Sequence, residues 1–112
     1  MIEQIEKLKH IDKNNRIYWN ARELQKILEY KEWIDFKRIL KKAIIRCKYN
    51  RLKTSNHFKK YYKIILLSNG LIKSVENYKL SRYACYLIIQ NIDQKKTIAL
   101  SLQKNSLSQM TN

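Results

Sequence analysis

The chain contains no proline and a single glycine, Gly70. A glycine-rich phosphate loop and a dinucleotide-binding turn are therefore excluded, since both need several glycines for close backbone approach to phosphate. Polyproline segments and proline-stiffened linkers are excluded as well. Cysteine is scarce: Cys47 and Cys85 stand alone, with only His10 and His57 as further soft ligands. That pattern gives neither a disulfide framework nor a metal-ligand spacing, and both cysteines fall on apolar helical stripes, so they are expected to be reduced core residues. No metal and no cofactor is expected. Apolar runs such as Ile64–Leu67 are far too short to span a bilayer, and no stretch has the basic flank, apolar run and small-residue cleavage site of a signal peptide. The expectation is a cytoplasmic protein with no membrane partner.

Acidic residues are the most telling shortage. There are 9 Asp and Glu against 24 Lys and Arg, for a formal net charge of +15. Seven of the nine acids precede Phe36, and from Phe36 to Val75 there is none, while twelve Lys and Arg fall in that window. An AT-rich genome would account for abundant lysine, but not for where the acids are missing. A small domain tolerates such charge only against self-repulsion, which a polyanionic partner relieves.

What is present suffices for one folded domain. At 112 residues, with 45% hydrophobic and 29% charged residues, the chain can bury one modest core. Ile2, Ile5 and Leu8 share a helical face near the start, which predicts a short N-terminal helix. Asn14-Asn15 divides two partly apolar segments and predicts a small hairpin, because asparagine tolerates left-handed backbone. Asn20 and Glu23 have capping-box spacing ahead of Ala21, Leu24, Ile27 and Leu28, which predicts a helix from Ala21 to about Glu29. A longer helix is expected from about Glu32 to Tyr49, with Trp33, Phe36, Leu40, Ala43, Ile44 and Cys47 on its core arc and cations around the rest. The segments 58–67 and 71–78 flank Ser68-Asn69-Gly70, and Asn-Gly predicts a hairpin because both residues accept positive φ at little cost. Ser81 is the expected cap of a helix carrying Ala84, Leu87 and Ile88. A further short helix is expected from Asp93 to Leu102. The fold class is thus α+β: a small single domain of about four helices and two short β-hairpins, with a winged-helix-like basic hairpin. The expected domain covers 1–102, followed by a polar tail at 103–112.

Catalysis has little to work with. The two histidines lie in no recognisable motif, His57 reading best as a capping or packing residue, and the N-terminal acids read as caps and solvated charges. The chain is therefore read as a non-enzyme. Nucleic-acid binding asks instead for cations able to meet phosphates, together with groups that enter a groove or stack on bases. The acid-free block supplies them: Lys37, Arg38, Lys41, Lys42, Arg46 and Lys48 on the long helix, and Lys59, Lys60, Lys63 and Lys73 on the hairpin. Of Tyr61 and Tyr62, one is expected to pack inward and the other to meet a sugar or base. Arg82 joins the set because a cation in the first turn of a helix opposes the dipole and invites an external partner. A neutral surface role for Arg82 weighs equally.

The stretch Leu80-Ser81-Arg82-Tyr83-Ala84-Cys85-Tyr86-Leu87-Ile88-Ile89-Gln90-Asn91 resembles the N-terminal domain of the bacterial DNA-damage-inducible protein D family, a relative of the BRO-N domains of phages and large DNA viruses. Tyr18-Trp19-Asn20-Ala21-Arg22-Glu23-Leu24-Gln25-Lys26-Ile27-Leu28, Glu32-Trp33-Ile34-Asp35-Phe36 and His57-Phe58 carry the same resemblance in the same order, from about His10 to Leu100. Family members usually have glycine where this chain has Glu29, and Gly-Asp-Pro where it has Ile92-Asp93-Gln94. The resemblance implies a protein of the SOS DNA-damage response. It also implies kinship with phage antirepressors associated with DNA binding, and a role at recombinase-coated single-stranded DNA. Full-length members continue into a second, mainly helical region, so a truncated relative is expected.

Two readings follow. In one, the chain is a DNA-binding module, with strand preference open. In the other, it is a protein-interaction module acting on a recombinase filament or a repressor. Steep salt dependence on naked DNA marks the first, and binding to protein without DNA marks the second.

Overall fold

Asn20 and Ser81, expected to open helices, do so. The computed structural model describes residues 2–92, running α1 (Ile2–Lys7), β1 (His10–Ile11), β2 (Ile17–Asn20), α2 (Ala21–Ile27), α3 (Trp33–Tyr49), a 3-10 turn (Thr54–Asn56), β3 (Phe58–Leu66), β4 (Ile72–Leu80) and α4 (Arg82–Gln90). The helix expected over 93–102 and the tail at 103–112 lie outside the described residues. The α+β class stands, with four helices and a four-stranded antiparallel sheet among the described residues.

The two expected hairpins are joined in one sheet of order β1-β2-β4-β3. The seam is short: Trp19 pairs with Leu80 and Asn20 with Lys79. The second hairpin has nine rungs from Phe58↔Leu80 to Leu66↔Ile72, with β4 running two residues past the expected Tyr78. Because side chains alternate along a strand, this register sorts them onto two faces. One carries Phe58, Lys60, Tyr62, Ile64 and Leu66 opposite Leu80, Tyr78, Glu76, Ser74 and Ile72. The other carries Lys59, Tyr61, Lys63 and Ile65 opposite Lys79, Asn77, Val75 and Lys73. Phe58, Tyr78 and Leu80 are buried, but beyond Tyr62 the same face is open. The hairpin is therefore core at its base and a free two-stranded ribbon toward its tip.

The core joins Trp19, Leu24, Leu28, Phe36, Ile39, Leu40, Cys47, Leu80 and Ile88, all essentially without exposure. On α3, Phe36, Leu40, Ala43 and Cys47 lie inward as expected. Ile39 joins them, while Trp33 and Ile44 lie at the margin. Each large side chain so buried contributes about 1.5–3 kcal/mol. Trp19 is fixed in direction as well, its indole Nε1 donating to the Ile5 carbonyl at 2.7 Å.

Local chemistry departs from the expected pattern at three points. The Asn20 side chain caps α2 by accepting from the Arg22 amide, but Glu23 does not complete a capping box; its carboxylate lies 2.6 Å from His10 Nε2 instead. At the hairpin turn only Gly70 takes positive φ, at 85°, while the Asn69 side chain accepts from the Leu71 amide. The three-residue loop closes through Gly70 N–H to Leu67 O and Leu67 N–H to Leu71 O, so Asn69 has no need of the left-handed region. Third, α2 ends in a left-handed residue without glycine. Glu29 has φ 63°, the Glu29 amide donates to Lys26 O and the Tyr30 amide to Gln25 O. That pair of bonds is a Schellman motif. α3 ends the same way, with Arg51 at φ 61°, its amide donating to Lys48 O and that of Leu52 to Cys47 O.

Candidate nucleic-acid interface

With 17 residues, α3 is roughly 25 Å long, and packing its apolar arc inward turns the cations out. Lys41, Lys42, Arg46 and Lys48 are exposed and make no ion pair among the described residues. The guanidinium of Arg46 lies 5.6 Å from the Tyr49 ring centre. Ile34, Ile45 and Tyr49 are exposed among these cations, and a shallow groove of about 360 Å³ is lined by Lys42, Ile45, Arg46, Tyr49 and Asn91.

The first half of α3 is different. Arg38 bonds Asp35 at 2.7 Å, one turn back. Lys37 bonds Glu76 at 2.5 Å and is only 27% exposed. Glu76, the acid that closes the acid-free block, also receives the Trp33 indole N–H at 3.0 Å and lies 3.6 Å from Lys60 Nζ. The Lys37 bond, aided by Trp33 and Lys60, holds this carboxyl at about 2 against the burial that would raise it. Glu76 thus ties α3 to the ribbon and pairs with two of the eleven expected site residues.

On the ribbon, Lys59, Lys63 and Lys73 share the face of Tyr61 and Asn77, and Lys60 lies on the face of Phe58 and Tyr78. Tyr61 is half-buried, its hydroxyl accepting from Asn20 Nδ2 at 2.8 Å, whereas Tyr62 is exposed. Tyr61 is therefore the inward-packed tyrosine. Asn77 beneath it is buried and satisfied, donating to Asn20 Oδ1 at 2.7 Å and accepting from the Arg22 amide at 3.2 Å. This amide network fastens the hairpin base to the start of α2.

The basic face also includes residues that the sequence reading missed. Lys79 sits directly across from Lys59, its ammonium 4.9 Å from the Tyr18 ring centre and 5.8 Å from that of Tyr61. With Arg16, Lys59, Tyr18 and Ser81 it lines an open groove of about 650 Å³ that Asp12 also borders. Strand parity was the available signal, since residues 73 and 79 must share a face. Arg16 carried none.

Arg82 meets Glu6 and lies 4.9 Å from the Trp19 ring centre, so its charge is answered inside the protein. His57 Nδ1 lies 2.6 Å from Ser81 Oγ, which in turn accepts the Ala84 amide at 3.0 Å. With that oxygen committed to the helix cap, the pair locks the β3–α4 junction, with Ser81 N–H donating to His57 O at 3.0 Å. Both cysteines are buried; desolvation raises the Cys47 thiol and pushes that of Cys85 up to about 12, which suppresses the reactive thiolate. Among the described residues no three His, Cys, Asp or Glu gather as a metal site, and no helix is long and apolar enough to cross a membrane.

The model of the BRO family, N-terminal domain, matches residues 7–102. DNA damage-inducible protein D of Escherichia coli (strain K12) is 32% identical over 93 residues, covering 83% of this chain and 34% of that protein. The chain thus spans about a third of that relative's length. No solved structure matches.

Proposed function

The chain belongs to the BRO family, as an instance of its N-terminal domain, and from that premise we propose that it is a non-catalytic DNA-binding domain serving the DNA-damage response. The observation that carries this reading is the outer arc of α3, where Lys41, Lys42, Arg46 and Lys48 lie exposed without a counter-acid among the described residues. Lys59 opposite Lys79 supports it: like charges directly across a sheet destabilise it unless an outside anion intervenes. Lys63 and Lys73 extend the same face, while Lys37, Arg38, Lys60 and Arg82 shape the surface through their acids.

The test is a titration of single- and double-stranded DNA at several salt concentrations. Neutralising about five to eight phosphates gives a slope of log K against log salt of about −4 to −7 on duplex. A flat slope, or no binding at low salt, would sink the reading. Exposed Ile34, Ile45 and Tyr49 among the cations favour a second reading, contact with a repressor or a recombinase filament. Binding to such a protein without DNA would select it.

A further inference from the structure

Beyond Tyr62 and Glu76 the β3–β4 ribbon carries on one face the side chains that a soluble domain ordinarily hides. Ile64 is 63% exposed, Leu66 74%, Ile72 71% and Leu71, at the loop, 64%. Leu66 and Ile72 are directly paired and Ile64, opposite Ser74, lies two residues along the same face, so the three form one aliphatic strip across three rungs, with roughly 7 Å between its ends. The strip is bordered at its base by Tyr62 and Glu76, with Lys60 two residues further along the face, and is backed on the other face by Lys63 and Lys73. A contiguous exposed patch of this kind marks a contact surface.

We infer that this strip is a wedge for duplex DNA: the ribbon lies along the minor groove and its aliphatic side chains press between base pairs, unstacking a step and bending the duplex. The inference rests on the DNA-binding reading and deepens it. Charge selects the occupant. At +15 a second copy of the chain is repelled, whereas a polyanion is drawn to lysines long enough to reach phosphates past either edge of a two-stranded ribbon. Chemistry selects the mode. Ile, Leu and Ile offer no donors or acceptors with which to read base edges in the major groove, but they suit sugar walls and base faces opened by unstacking. The hairpin would then act as more than a basic wing resting on the backbone.

The experiment compares the full chain with an Ile64→Ser, Leu66→Ser, Ile72→Ser variant and a Lys63→Gln, Lys73→Gln variant. The substituted side chains are exposed and circular dichroism verifies the fold. Each is titrated into duplex DNA that carries 2-aminopurine and an end-to-end fluorescence-transfer pair. The full chain is expected to raise 2-aminopurine fluorescence and shorten the end-to-end distance. The serine variant is expected to lose both, with affinity down about tenfold and the salt slope unchanged, while the glutamine variant keeps the bend but has a slope shallower by about 2. Unchanged affinity and bending in the serine variant would overturn the wedge and leave DNA binding standing. Absence of binding by the full chain would overturn both. A sedimenting dimer, or binding to anionic lipid vesicles, abolished by the serine substitutions with no unstacking of DNA by the full chain, would assign the strip to a second copy or to a membrane instead.

Discussion

Both halves of α3 carry cations on the outer arc, but they differ in whether those cations are paired. Toward its start, Lys37 and Arg38 are answered by Glu76 and Asp35; toward its end, Lys41, Lys42, Arg46 and Lys48 have no such partners among the described residues. Charge count and available charge are therefore different quantities. The acid-free block from Phe36 to Val75 is acid-free only along the chain, because folding brings Glu76 back onto it.

The strongest way to break this comparison is to reverse the outer half. Lys41→Glu, Lys42→Glu, Arg46→Glu is expected to lower duplex affinity about a hundredfold or more near physiological salt, with the fold intact by circular dichroism. The same charge change at Lys7, Lys9 and Lys13 should cost far less. Equal losses would mean that net charge alone drives association.

Converting an answered cation into a free one sharpens it. Glu76→Gln releases Lys37 and Lys60, so duplex affinity should rise several-fold and the salt slope steepen by up to about 2. Stability moves the other way. The Glu76 carboxyl is held at about 2 in the folded protein against 4.5 ordinarily. It thus contributes stability that is complete above about pH 4.5 and fades as pH falls toward 2. Allowing for solvent screening this is about 1–2 kcal/mol, and urea melts from pH 7 to 2.5 should show a flatter acid limb in Glu76→Gln.

A smaller effect is expected from Lys37→Met, whose charge is already spent: affinity should fall less than threefold, as measured by fluorescence anisotropy. The smallest belongs to Glu6→Gln. It frees Arg82 from its partner, and a rise in affinity of less than twofold would place Arg82 outside the contact surface. A loss of affinity comparable to that of the outer triple variant, from either substitution, would erase the distinction between the halves.

Much of the fold was legible because its signals are local. Asn20 and Ser81 cap through their own side chains within three residues, and Asn69-Gly70 marks the turn even though only glycine uses positive φ. The paired or free state of each cation was not legible. Lys37 and Arg82 find Glu76 and Glu6, far away in the sequence, and only tertiary packing brings them together. The aliphatic strip escaped for another reason. From Ile64 to Leu67 both parities are apolar, so alternation could not tell a buried face from an open one.

The two Schellman ends bear on how far this protein could be stabilised. A left-handed backbone costs a residue with a Cβ about 1–2 kcal/mol that glycine avoids, and here Glu29 and Arg51 both adopt it. With its only glycine placed in the hairpin turn, the chain carries strain at both junctions that helix geometry does not require. Glu29→Gly is therefore a substitution toward higher melting temperature, by several degrees for each kcal/mol recovered. A domain short of glycine by composition has, at two helix ends, unused thermal tolerance.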